Sequence, residues 1–207
     1  MGLFLLLHHG KKKLKSRAAS IMNILLIDNG TILLPNLKKL FKEHNVQIYS
    51  WDKIEQKSTK NSDLIVLTGS SKYSVLEDEY VYKQQALLLK DTDKPIVGIC
   101  AGFELIVHSF GGELTRKRKK IAGLRKLEIL QDDVIFTGLE NTTVREAHHY
   151  RAIDLPSSLI PLAKSTYGYE IIKHKNRFIY GFQFHPELET KEKTGEILMN
   201  NLLEMIS

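Results

Sequence analysis

Short apolar runs alternate with segments of helical period along most of the chain. Asn23–Asp28 (NILLID) predicts a buried strand that ends in the turn signal Asn29-Gly30. Leu37, Leu40, Phe41 and His44 then fall at helical spacing. Val46–Ser50 and Asp63–Thr68 predict two further strands, the second ending at Gly69. Residues 79–90 predict a helix. Pro95–Ile99 predicts a strand that runs straight into Cys100, and Ala101–Phe110 a helix closed by Gly111-Gly112. Strands this continuously apolar, with helices between them, predict an α/β domain whose mostly parallel sheet is covered on both faces. The second half is richer in strands, with candidates at Leu124–Leu130, Thr143–Ala147, Tyr169–His174 and Phe178–Phe184. A last helix, Thr190–Ile206, carries Leu198, Leu202, Met205 and Ile206 on one stripe.

The chain has 207 residues, a length that suits one domain. Residues 1–21 read unlike the rest and are expected to be a disordered extension or a non-native start, with the domain spanning 22–207. The formal charge of +6 points at first to a polyanionic partner. Lys11, Lys12, Lys13, Lys15 and Arg17 account for all but one of those charges, so the domain itself has no global electrostatic reason to bind nucleic acid. No run approaches the ~20 apolar residues of a membrane helix. With a single cysteine there is no intrachain disulfide, and a reducing, cytoplasmic setting is expected.

That cysteine sits in Gly98-Ile99-Cys100-Ala101-Gly102, where a strand meets a helix. In such an elbow the nucleophile protrudes at the carboxyl end of the sheet. The amino end of the following helix favours thiolate and offers N–H groups to an oxyanion. Further on, His185-Pro186-Glu187 follows an apolar strand. Residues i and i+2 of an extended segment point the same way, so a carboxylate could fix the imidazole beside it. His148 and His149 have neither a second cysteine nor a carboxylate at metal-site spacing, and neither a metal nor a cofactor is expected. Arg116–Lys120 (RKRKK) reads as a solvated loop, with a docking surface for an acidic partner or phosphorylated substrate as the sharper alternative. His44 and His108 read as helix-surface or packing residues, and Tyr167-Gly168-Tyr169 as a turn and strand start.

Together, the Cys100 and His185-Pro186-Glu187 segments resemble the class I glutamine amidotransferases, whose G-x-C-x-G and later H-P-E supply a Cys-His-Glu triad. Tyr180–Glu187 (YGFQFHPE) is similar to the family's G-x-Q-F-H-P-E block, Leu67–Ser71 (LTGSS) stands where its oxyanion loop lies, and Asp28-Asn29-Gly30 resembles its first loop. The likeness runs over roughly residues 22–206, with spacing most similar to the amidotransferase subunit of GMP synthase and then that of anthranilate synthase. It implies a flavodoxin-like α/β fold. It also implies glutamine hydrolysis through a γ-glutamyl thioester on Cys100, with ammonia passed to a synthetase in trans. By the same resemblance, the backbone N–H groups of Ser70 and Ala101 form the oxyanion hole. Gly69, Glu104, His149, Tyr150 and Arg151 fall at substrate-binding positions.

Three of those positions depart from the family. Glu104 replaces a glutamine, Ser70 replaces a glycine, and Ala147–Arg151 (AHHYR) replaces S-H-G-D or Y-H-S-L, with His149 at the place of the family histidine. A carboxylate at 104 accepts hydrogen bonds but does not donate as an amide does. Two other readings therefore stay open: a hydrolase of another γ-glutamyl amide or peptide that needs no partner, and a regulatory subunit on the same scaffold.

Overall fold

The computed structural model describes residues 20–207. Of the expected extension, residues 1–19 lie outside the described residues.

Five strands form the parallel half of the sheet. These are β1 (Asn23–Asp28), β2 (Asn45–Ser50), β3 (Leu64–Leu67), β4 (Ile96–Ile99) and, from the far end of the chain, β10 (Ile179–Phe182). Their order across the sheet is β2-β1-β3-β4-β10. In β3, β4 and β10 every residue is buried, as a sheet covered on both sides requires. Beyond β10 the sheet turns antiparallel through β9 (Gly168–His174), β8 (Leu159–Ser165) and a short β6 (Glu128–Ile129). The order of the parallel strands is that of a doubly wound, flavodoxin-like fold, in which ligands gather at the carboxyl ends of the strands.

Helices cover both faces. The α1 helix (Leu34–Leu40) and α5 (Thr194–Ile206) pack Leu37, Leu198, Met199 and Leu202 against Ile24, Leu26, Val66, Val97 and Phe182. On the opposite face, α3 (Glu79–Asp91) and α4 (Ala101–Ser109) set Val81, Leu89, Phe103 and Ile106 against Leu25, Ile27, Ile65, Leu67 and Ile96. Alternate residues of β1 thus serve the two cores in turn. A separate antiparallel ribbon, β5 (Glu113–Lys126) with β7 (Thr143–Asp154), lies over the carboxyl end of the sheet.

Several expectations need correction. The basic run is not a free loop. Arg116 pairs with Tyr150 inside the ribbon, and the register then shifts so that the next pair is Ile121 with His148. The sheet ladder overrides the polar composition there, and residues 117–120 bulge out. The strand expected at Leu124–Leu130 is broken at Leu127, whose side chain is buried in the core. The last helix begins at Thr194 rather than Thr190, because Lys193 adopts a left-handed φ of 53° at the cap. The first helix closes at Leu40, and His44 lies beyond it, accepting a hydrogen bond from the Met22 N–H. Two elements had no apolar signature strong enough to read: a polar helix α2 (Gln56–Asn61) and β8, which carries Pro161.

Two glycines decide how α4 sits. A Cβ at Gly98 would overlap the Gly102 carbonyl, and one at Gly102 would overlap the Leu67 carbonyl at the end of β3. The first turn of α4 therefore rests directly on β3 and β4. Gly102→Ala is expected to destabilise the fold by about 2 kcal/mol or more, since backbone on both sides must move. Equilibrium denaturation of the variant measures this; a change within about 0.5 kcal/mol would contradict it.

Candidate active site

Because α4 is pressed onto the sheet, the chain must turn sharply between β4 and α4. Cys100 takes that turn at φ 52° and ψ −105°, the strained geometry of a nucleophile at a strand-to-helix elbow. Its N–H still completes the sheet ladder, donating to the Phe182 carbonyl at 2.8 Å. Its carbonyl accepts from the Glu104 N–H at 2.9 Å, which starts the helix. The side chain is left at the carboxyl end of the sheet.

His185 reaches the same point from β10. Its backbone N–H donates to the Arg145 carbonyl of the ribbon at 3.0 Å, and the chain then turns so that Leu188 N–H bonds back to the His185 carbonyl at 3.1 Å. Within this turn His185 Nδ1 lies 2.9 Å from Glu187 Oε1, with both side chains buried. Gly69 packs against Cys100 and His185 together; a Cβ there would stand 3.3 Å from Cys100 Cβ and 3.3 Å from His185 Cε1. The three triad positions expected from the sequence are thus brought together.

Their electrostatics are opposed in sign. Burial pushes the Cys100 thiol up, and the hydrogen-bonded His185 pulls it partly back. Burial lowers His185, but the Cys100 thiolate and the Glu187 carboxylate outweigh it and raise the imidazole to about 10. Chemically the pair can act as one unit, with a proton leaving sulfur taken up by the ring and Glu187 stabilising the charge created.

A cavity of about 500 Å³ opens above this pair. Ser70, Cys100, Ala101, Glu104, His149 and Tyr150 are among its walls. Ala101 is the first residue of α4, so its N–H has no partner inside the helix. Ser70 has no positive φ, so the site does not need the family's glycine for backbone reasons. Its Oγ instead accepts from the N–H groups of Lys72 (3.1 Å) and Tyr73 (2.8 Å), which fixes the loop. Arg151 turns elsewhere, donating to the Tyr167 carbonyl at 3.2 Å. His149 is exposed at the cavity, whereas His148 beside it is buried.

Sequence reasoning placed Tyr150 at the site but did not find its partners on the far wall. Tyr150 Oη donates to Glu77 Oε1 at 2.8 Å and accepts from Ser74 Oγ at 3.0 Å, and Arg116 pairs with Glu77 at 3.3 Å. Arg116 and Lys120 both line the cavity. No motif joins these segments; only the ribbon's position over the sheet does.

The profile of the family described as glutamine amidotransferase class-I matches residues 25–205. The chain belongs to the class-I glutamine amidotransferases. It is 32% identical over 187 residues to the glutamine-hydrolysing GMP synthase of Aquifex aeolicus, covering 86% of this chain and 35% of that protein. It is 43% identical over 108 residues to a glutamine-hydrolysing GMP synthase subunit of Pyrococcus abyssi, covering 51% and 57% of the two chains. The solved structure of a proposed GMP synthase subunit from Thermoplasma acidophilum superposes with a TM-score of 0.81 at 27% identity, covering 90% of this chain and 94% of that one. This amidotransferase chain therefore spans only about a third of the Aquifex protein's length. No helix among the described residues is long and apolar enough to cross a membrane.

Glu104 is the buried carboxyl of the cavity in this amidotransferase. It is buried at the cavity floor and accepts a hydrogen bond from Gln183 Nε2 at 3.1 Å. Burial raises its carboxyl to about 7, with Gln183 and His185 opposing. Below pH 4.5 the group is neutral both folded and unfolded. Between 4.5 and about 7 the unfolded chain ionises first, so the fold loses stability as pH rises, and above 7 the loss is complete. Glu104→Gln is therefore expected to stabilise the protein at pH 8 by on the order of 3 kcal/mol and to leave it nearly unchanged at pH 4.5. Denaturant unfolding at both pH values measures the difference; a gain independent of pH would contradict the assignment.

Proposed function

We propose that the chain hydrolyses glutamine through a γ-glutamyl thioester on Cys100 and supplies the ammonia to a separate synthetase of the GMP synthase kind. The observation that carries this reading is the buried His185–Glu187 contact placed against the strained Cys100 elbow. Cys100 Sγ attacks the amide carbon and gives its proton to His185. The N–H groups of Ser70 and Ala101 receive the oxyanion. As the tetrahedral adduct collapses, the C–N bond breaks and His185 returns the proton to the departing ammonia. Water, deprotonated by His185, then cleaves the thioester to release glutamate and restore the thiol. The Thermoplasma relative, a chain of similar length described as one subunit of its enzyme, supports a partner on a separate chain.

One observation favours a second reading. Glu104 places a buried carboxyl in the cavity, next to where substrate must lie. That suits a γ-glutamyl amide or peptide cleaved without a partner. The deciding experiment measures ammonia release from glutamine, alone and with the synthetase that co-purifies from the native cell, and compares a γ-glutamyl dipeptide. Stimulation by the synthetase with glutamine supports the first reading. Partner-independent cleavage of the dipeptide, with glutamine a poor substrate, replaces it with the second.

Both readings require the triad. Cys100→Ala is expected to lose roughly 10⁴-fold or more in kcat. Glu187→Gln keeps the shape of the site but removes the charge, and is expected to lower kcat by on the order of 10²–10⁴. Retained turnover in Cys100→Ala, or failure of a glutamine-like electrophile to label Cys100 in folded protein, would overturn the mechanism.

A further inference from the structure

Beneath the cavity wall, three buried side chains converge that this chemistry does not use. Glu146 and His148 alternate inward on β7, and Glu170 faces them from β9. One donor atom from each lies within 4.8 Å of the others. All three residues are almost fully buried, with relative exposures of 1%, 3% and 1%. The carboxyl groups of Glu146 and Glu170 face each other in a dry interior, close enough to share a proton.

The donors are also unsatisfied. Apart from a proton shared between the two acids, the carboxylate oxygens of Glu146, Oε2 of Glu170 and Nε2 of His148 find no hydrogen-bond partner among the described residues. Arg125 Nε stands 3.4 Å from Glu146 Oε2, within ion-pair range but outside hydrogen-bond geometry. Two buried carboxyls and an unpartnered imidazole nitrogen at one spot offer their lone pairs to a ligand that can replace the shared proton.

The surrounding contacts point to the kind of ligand. His148 Nδ1 lies 2.6 Å from the Tyr150 carbonyl, so the proton belongs on Nδ1 and Nε2 keeps a bare lone pair. An imidazole tied to a backbone carbonyl through one nitrogen and free at the other is the usual arrangement of a metal ligand. Glu170 is oriented in the same manner, its Oε1 accepting from Ser165 Oγ at 2.8 Å.

We propose that Glu146, His148 and Glu170 bind one divalent transition-metal ion of the zinc type. One nitrogen and two carboxylate oxygens suit such an ion, whereas calcium and magnesium take oxygen ligands. Bonds of about 2.0–2.2 Å place tetrahedral ligands about 3.4 Å apart, a contraction of little more than about an ångström. Two ionised carboxylates balance the charge of the ion, and Arg125 remains paired with the rim of Glu146. His148 also lines the active-site cavity, which gives the ion a route in. Bound there, the ion joins the ribbon to the main sheet directly behind His149 and Tyr150. The sequence expectation of no metal overlooked Glu146-x-His148, because Glu170 is brought to it only by the fold.

The test uses chelator-stripped protein titrated with Zn²⁺, with metal content read by mass spectrometry after gel filtration. Co²⁺ is used in parallel for its visible spectrum. Wild type and Cys100→Ser are expected to bind one ion per chain, with four-coordinate cobalt bands and a Tm rise of roughly 5–10 °C at a hundredfold excess over Kd. Glu170→Gln and Glu146→Gln, which preserve shape, should each lose the ion, the bands and the Tm rise. Absence of uptake by wild type overturns the proposal, as does uptake retained in both glutamine variants. Uptake lost in Cys100→Ser would place the ion on the catalytic thiol and overturn it equally. None of these outcomes bears on glutamine hydrolysis.

Discussion

The close seating of α4 on β3 and β4 is the contact on which the site depends. Gly98 and Gly102 leave no room for side chains, so the helix begins almost on top of the sheet. The chain must then reverse within one residue, and that residue is Cys100 with its positive φ. The same seating brings Ala101, the first residue of the helix, to the cavity wall, beside Gly69, which packs against both Cys100 and His185. Strain at the elbow and reactivity at the thiol share one geometric cause.

Much of this was legible in the sequence, for physical reasons that vary by element. The strands β1, β3, β4 and β10 are buried on both faces, and their apolar runs announce themselves. The elbow glycines and His185-x-Glu187 are readable because backbone constraint and extended-chain periodicity act over a few residues. Elements held by tertiary context were not. The ribbon's basic bulge at 117–120 reads as loop because its side chains are solvated, although its flanks are paired. The Tyr150–Glu77–Ser74 group and the Glu146–His148–Glu170 cluster join distant segments, and no local pattern encodes them. Ser70 stands where the resemblance puts a glycine yet has no positive φ, and its hydroxyl caps the loop.

Polarity in the interior follows a division of labour. His185 is charged readily because Glu187 and the thiolate face it, whereas His148 stays neutral because burial acts on it with little opposition. Two histidines of one site thus meet opposite surroundings. Glu104 and Gln183 form a third polar contact below the cavity. The family likeness accounts for the scaffold on which these contacts are built.

The place of β10 has a consequence for how the protein comes into being. The last strand of the chain, it is inserted beside β4 in the interior of the sheet, with Ile99 aligned to Phe182. During synthesis β4 and Cys100 emerge long before the strand that pairs with them. Until β10 docks, the edge of β4 is unpaired and apolar, a hazard for association with other chains. The thiol at that stage also lacks the imidazole that takes its proton. Completion of the sheet and switching on of the nucleophile are therefore the same folding event. A nascent or truncated chain carries an exposed cysteine but no armed one.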